Sequence, residues 1–170
     1  HRDVSMLCEL SEFFGNHPDC VVMDSQGNPS PWQTQWPWEP KQNIYDLDVR
    51  KPESQEYLAR SFRELAALGI RYFKMDFLNG PSAGPLSFVH GIKDEDRVRD
   101  GERMRIGLSL IRQTVGEGAY LLGCNFPHSH GLGIVSAVFG ALDVGNAYFG
   151  REESWAHLKR RTSSLIGRDY

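Results

Sequence analysis

The stretch Arg71-Tyr72-Phe73-Lys74-Met75-Asp76-Phe77 (RYFKMDF) decides the fold. It reads as a β-strand, apolar and aromatic over strand length, following directly on a helix that closes at Gly69. Side chains two apart in a strand share a face, so Lys74 and Asp76 point together while Phe73, Met75 and Phe77 point the other way. Parallel strands covered by helices are usually apolar on both faces. A lysine and an aspartate near the carboxyl end of one therefore carry a desolvation cost unless they are paired or hydrogen-bonded. An ion pair that satisfies only itself meets that requirement, and so does a functional pair.

Upstream of the stretch, Pro52 opens a helix that carries Tyr57, Leu58, Phe62, Leu65 and Leu68 on one side. Ile44 to Leu47 reads as the strand before it. Residues 27–41 hold four prolines and three tryptophans, which predicts a turn-rich loop and not a regular element. Nearer the start, Met6, Leu7, Leu10, Phe13 and Phe14 recur at helical spacing up to the break at Gly15 and Pro18, and Cys20 to Met23 reads as a short strand. Downstream, a Gly/Pro loop at 79–91 leads to a helix from about Glu95 to Val115, with Met104, Leu108, Ile111 and Val115 at three- and four-residue steps. Its Glu- and Arg-rich part, Asp94 to Arg112, reads as a solvated outer face. Tyr120 to Cys124 (YLLGC) is the next strand, Ala141 to Val144 a further short one, and Glu152 to Ile166 a last amphipathic helix. Strands alternating with helices predict βα units and a parallel sheet, hence an α/β fold. An open doubly wound sheet and an eight-stranded barrel both place binding residues at the carboxyl ends of strands, and no GxGxxG follows the early strands to favour the nucleotide-binding sheet.

Composition narrows the function classes. The chain has 170 residues, 24% of them charged, with 19 Lys and Arg against 22 Asp and Glu, so no basic surface for nucleic acid is indicated. No apolar run approaches the roughly 20 residues of a membrane-spanning helix. Cys8, Cys20 and Cys124 are an odd set without close pairing or zinc-type spacing, which argues against a disulfide framework. The chain opens on His1 and not on Met, so the compartment stays open, as does oligomerisation.

The run YDLDVRKPESQEYLARSFRELAALGIRYFKMDF resembles the core of clan D glycoside hydrolases, above all the family 36 α-galactosidases (melibiases), in which a strand ending in Lys-x-Asp supplies the nucleophile. SEFFGNHPDCVVMDSQGNP and LLGCNFPHSHGLGIVSAVFGALDVGNAY are similar to two further segments of that family, in the family's order. The resemblance implies a fragment of a single catalytic domain over residues 1–170, a partial (β/α)8 TIM barrel of about four central βα units with strands at Ile44, Arg71, Tyr120 and Ala141 onward. It implies a retaining mechanism on terminal α-galactosides, with Asp76 as nucleophile and Asp143, in FGALDV, as acid/base. The two carboxyls would then lie about 5 to 7 Å apart. Lys74 would hydrogen-bond sugar hydroxyls beside Asp76. Cys124, Asn125 and Tyr148 would line the substrate; independently of the resemblance, the indoles of the tryptophan loop (Trp32, Trp36, Trp38, with Glu39) suit stacking on sugar faces. No cofactor and no metal are implied, and the partner is a carbohydrate.

Blander readings stand beside these. Asp143 also suits a turn cap, Cys124 a small core residue, and the tryptophan loop a compact unit packed under its own prolines. His128-Ser129-His130 has the form of a metal-binding pair, with Cys124 as a third ligand, but loop histidines are common. Two departures from the family pattern bear on function. Phe139 stands where the family has an arginine, four residues before the acid/base, and Ser136 where it has an aspartate. A phenyl ring cannot fork onto hydroxyls as a guanidinium does. The alternatives are therefore an α-glycosidase of other sugar preference, such as α-N-acetylgalactosamine, or a catalytically silent sugar-binding homologue.

Overall fold

The computed structural model describes residues 6–24, 26–36, 40–76, 78, 100–124, 128–139, 155–156 and 159. Two three-stranded sheets and two long helices share one apolar core. The first sheet is antiparallel, in the order β1-β3-β2, from β1 (Met6–Cys8), β2 (Pro31–Trp36) and β3 (Gln42–Asp46). The second is parallel, in the order β4-β5-β6, from β4 (Tyr72–Met75), β5 (Tyr120–Cys124) and β6 (Ala137–Phe139).

The helices form where their ends are specified. In α2 (Pro52–Ala67) the proline occupies the first turn, where its missing N–H is no loss, and Gly69 stops the helix at φ 86°. Leu58, Ala59 and Phe62 are its buried side. In α3 (Asp100–Val115) Met104, Leu108 and Ile111 are buried, and Gly116, at φ 78°, ends it. Gly107 lets this helix close on Val49, whose Cγ1 lies 3.4 Å from where a β-carbon would be. Phe73 and Met75 of β4 and Leu121 of β5 complete the core beneath both helices.

The amino-terminal part departs from the expectation. Met6 to Cys8 is a strand against β3, and only α1 (Glu12–Asn16), capped by the Ser11 hydroxyl, is helical. Leu7 is buried by that pairing, so the short apolar pattern served a strand as well as a helix. Cys20 to Met23 forms no strand of its own: a 3-10 turn (Pro18–Cys20) leads into isolated bridges, Val21 to Leu47 and Met23 to Pro29. The proline- and tryptophan-rich segment contains β2, an edge strand with Pro31 first and register irregularities at Gln33 and Trp36, where prolines and bulges are tolerated. The strand at Ile44 runs antiparallel to both its neighbours, so it is no member of the parallel sheet. A parallel strand does follow YLLGC, but at Ala137–Phe139; Ala141 to Val144 lies outside the described residues. Trp155, Ala156 and Lys159 are helical, and the rest of the expected final helix lies outside the description.

Candidate active site

The parallel sheet has two unlike faces. On β4, Phe73 and Met75 are buried under the helices, while Tyr72 and Lys74 are exposed. The register pairs Tyr72 with Tyr120, Lys74 with Leu122, and Met75 with Gly123; on β5 it pairs Leu122 with Ala137 and Cys124 with Phe139. Neighbours in register point the same way, so Tyr72, Lys74 and Asp76 share the open face with Tyr120, Leu122, Cys124, Ala137 and Phe139. At its amino end Tyr72 and Tyr120 stack with ring centroids 5.3 Å apart.

At the carboxyl end, Lys74 Nζ lies 3.1 Å from Asp76 Oδ2, and the two side chains are 51% and 31% exposed. The pair anticipated from the sequence is thus made, but on the face turned away from the helices, where it keeps contact with solvent. Asp76 stands one step past the Met75–Gly123 pair, which puts it in the row of Cys124 and Phe139. The chain stays with β5 there, since the Leu78 N–H donates to the Cys124 carbonyl at 3.3 Å. Cys124 is buried and joined to no disulfide. The structure therefore brings Lys74, Asp76, Cys124 and Phe139 to one end of one sheet. Asn125, Trp38, Asp143 and Tyr148 lie outside the described residues. His128 and His130 sit in a 3-10 helix (His128–Gly131), and among the described residues no three His, Cys, Asp or Glu side chains gather to hold a metal.

Charges of another kind surround β3. Asp46 is 1% and Asp48 6% exposed. Burial pushes the Asp48 carboxyl up, but Arg50 more than offsets this through a bidentate contact, with Nε to Oδ1 at 2.9 Å and Nη2 to Oδ2 at 2.8 Å. The Arg50 backbone N–H and the charge of Arg103 add to the effect, and the group ends below its usual value. At the surface nearby, Lys51 bonds Asp19 at 3.2 Å and lowers its carboxyl in turn.

Sequence reasoning missed the arginines of α3. The helix read as a solvated outer face, yet Arg103 is 3% exposed and the Arg112 guanidinium is spent on backbone carbonyls. Arginine at a helix end gives no sign in the sequence of which loop it will meet.

No family model matches the chain. Among solved structures it is similar to TtGalA, the α-galactosidase from Thermus thermophilus, in complex with stachyose, at 26% identity and a TM-score of 0.67, over 92% of this chain and 31% of that one. The same enzyme with p-nitrophenyl α-D-galactopyranoside matches at 26% and 0.67, over 93% and 29%. The glycoside hydrolase domain of PelA from Pseudomonas aeruginosa is 14% identical with a TM-score of 0.61, over 98% of this chain and 62% of that one, a likeness of fold alone. The chain spans about a third of the length of the α-galactosidase it matches. Its fold is that of part of a glycoside hydrolase.

Proposed function

We propose that this chain belongs to the catalytic domain of a retaining α-galactosidase, as a central part of a (β/α)8 barrel whose inner side is the open face of β4-β5-β6. The observation that carries the reading is the Lys74–Asp76 pair at the carboxyl end of a parallel strand, on the face the helices leave free. Barrel enzymes place their chemistry at that end. The similarity to an α-galactosidase solved with two α-galactosides supports the choice of substrate.

In this mechanism an Asp76 carboxylate oxygen bonds to the anomeric carbon as the glycosidic C–O bond breaks, and Asp143 gives its proton to the departing oxygen. Asp143 then takes a proton from water. The water oxygen bonds to the anomeric carbon, and the ester to Asp76 breaks with return of its electron pair to the carboxylate. Lys74 binds sugar hydroxyls from beside the nucleophile. Cys124, Asn125, Trp38 and Tyr148 line the sugar. The second reading, a sugar-binding homologue without turnover, rests on Phe139, whose ring stands in the row of Asp76 and itself offers a hydroxyl no hydrogen-bonding group.

The test is hydrolysis of an aryl α-galactoside by the full-length protein, by Asp76→Asn and by Asp143→Asn, the last with added azide. The proposal expects no turnover from Asp76→Asn, and from Asp143→Asn slow, azide-rescued cleavage of an activated leaving group. Sugar binding by a wild type that turns over no aryl α-glycoside establishes the second reading.

A further inference from the structure

One guanidinium touches the approach to two of the three parallel strands, the central β5 and the outer β6. Arg112, in the last turn of α3, donates from Nη1 to the carbonyls of Gly116 at 3.0 Å and Ala119 at 2.7 Å, from Nε to that of Ile134 at 2.9 Å, and from Nη2 to Ser136 Oγ at 3.1 Å. Ala119 immediately precedes β5, and Ser136 immediately precedes β6. Ser136 also joins the strands directly: its N–H donates to the Leu121 carbonyl at 2.9 Å, and its Oγ accepts from the Leu121 N–H at 3.1 Å. Two turns earlier on α3, Arg105 Nη1 donates to the carbonyls of His130 and Leu132, at 3.3 and 3.2 Å. Seven residues along a helix is close to two turns, so both arginines reach one segment and take hold of residues 130, 132, 134 and 136 in alternation.

We infer that Arg112 pins the β5–β6 register through Ser136, and is thereby a positioning residue for the carboxyl-end row of Asp76, Cys124 and Phe139. A slip of one residue in a strand turns every side chain to the opposite face. Three residues of β6 are too few to fix a register by packing alone, and the three of them are all only partly buried. A slip would put Val138 in place of Phe139 in the row and displace the chain that runs on to Asp143. Four acceptors spread over two strand starts need a planar fork, which lysine lacks. This inference rests on the glycosidase reading for its kinetic consequence, not for its structural one.

The experiment compares full-length wild type, Arg112→Lys and Ile111→Val, a core substitution one residue away, well below the unfolding temperature of all three. Two quantities are read: aryl α-galactoside kinetics, and backbone amide exchange at residues 120–124 and 137–139. Arg112→Lys should lose about 10- to 100-fold in kcat/KM, mostly in kcat, the scale of an ångström's misplacement. Its amides in both strands should exchange at least about tenfold faster, while Ile111→Val leaves the kinetics unchanged and speeds exchange by less, evenly over the core, as a general loss of stability does. Ser136→Ala should show the same changes in smaller measure and Ser136→Thr, which keeps the hydroxyl, should not. Faster exchange with unchanged kinetics, or equal losses in Arg112→Lys and Ile111→Val, overturns the positioning role while leaving the glycosidase reading in place. A wild type without turnover overturns that reading instead, and exchange alone then decides: unchanged protection in Arg112→Lys removes the pin.

Discussion

The two sheets of this molecule carry their charges in opposite ways. Around β3 the carboxylates are buried, Asp46 at 1% and Asp48 at 6% exposure, and Asp48 is gripped by the bidentate Arg50 two residues on. At the end of β4 the carboxylate is 31% exposed and its lysine 51%. A buried, doubly held carboxylate is committed to the fold, because any other use would abandon its partner in a dry site. A half-exposed one can exchange its lysine for a ligand. Burial thus separates the acid that holds the structure from the acid that stays accessible, although both lie just past the end of a strand, Asp48 after β3 and Asp76 after β4.

Substitutions can break that division or sharpen it. The largest effect belongs to Asp76→Asn, expected to remove turnover by about 10³-fold or more. Thermal unfolding should stay close to wild type, and a large fall in stability would place Asp76 with the structural acids. Next, Asp48→Asn should leave kinetics unchanged and cost about 1 to 3 kcal/mol of stability by urea unfolding at neutral pH, since it loosens a partly buried charged contact. The acid limb of wild-type stability tests the same point. Asp48 is held below its usual value in the folded chain, so its contribution is complete above the unfolded carboxylate pKa of about 4 and is lost as pH falls through the folded value. Asp48→Asn should therefore flatten stability against pH in that acid window, whereas Asp76→Asn should act on activity. The smallest effect is Gly107→Ala, which replaces a mid-helix glycine where the new methyl meets Val49 at ordinary contact distance. It should stabilise by up to about 1 kcal/mol. Destabilisation would show that α3 and Val49 have no slack at their 3.4 Å approach.

The parts legible in the sequence were those specified by near neighbours in the chain. Pro52 and Gly69 mark α2, Gly116 marks the end of α3, and the alternation of RYFKMDF foretold which side of β4 would be buried. The parts that escaped depend on partners remote in sequence. Whether Leu7 belongs to a helix or a strand is settled by β3, nearly 40 residues on. The direction of β3 is settled by its hairpin with β2, which the prolines around Trp32 concealed. Arg103 and Arg112 looked like surface charge because helical spacing records the face of a residue and not what packs over it. Within the candidate site, the Lys74–Asp76 pair was read correctly as a pair but not as an exposed one. Its neighbours in the row followed only from the registers of β5 and β6.

The Tyr72–Tyr120 stack has a use apart from chemistry. Two phenol rings at 5.3 Å and within 4° of parallel are close enough for their transitions to couple, which gives near-ultraviolet circular dichroism a signal that depends on both. Because they are a register pair of β4 and β5, that signal is an optical gauge of strand alignment at the amino end of the sheet. It should vanish with Tyr72→Phe or with a one-residue shift, and it can be followed in the same cuvette as an assay of the proposed hydrolysis.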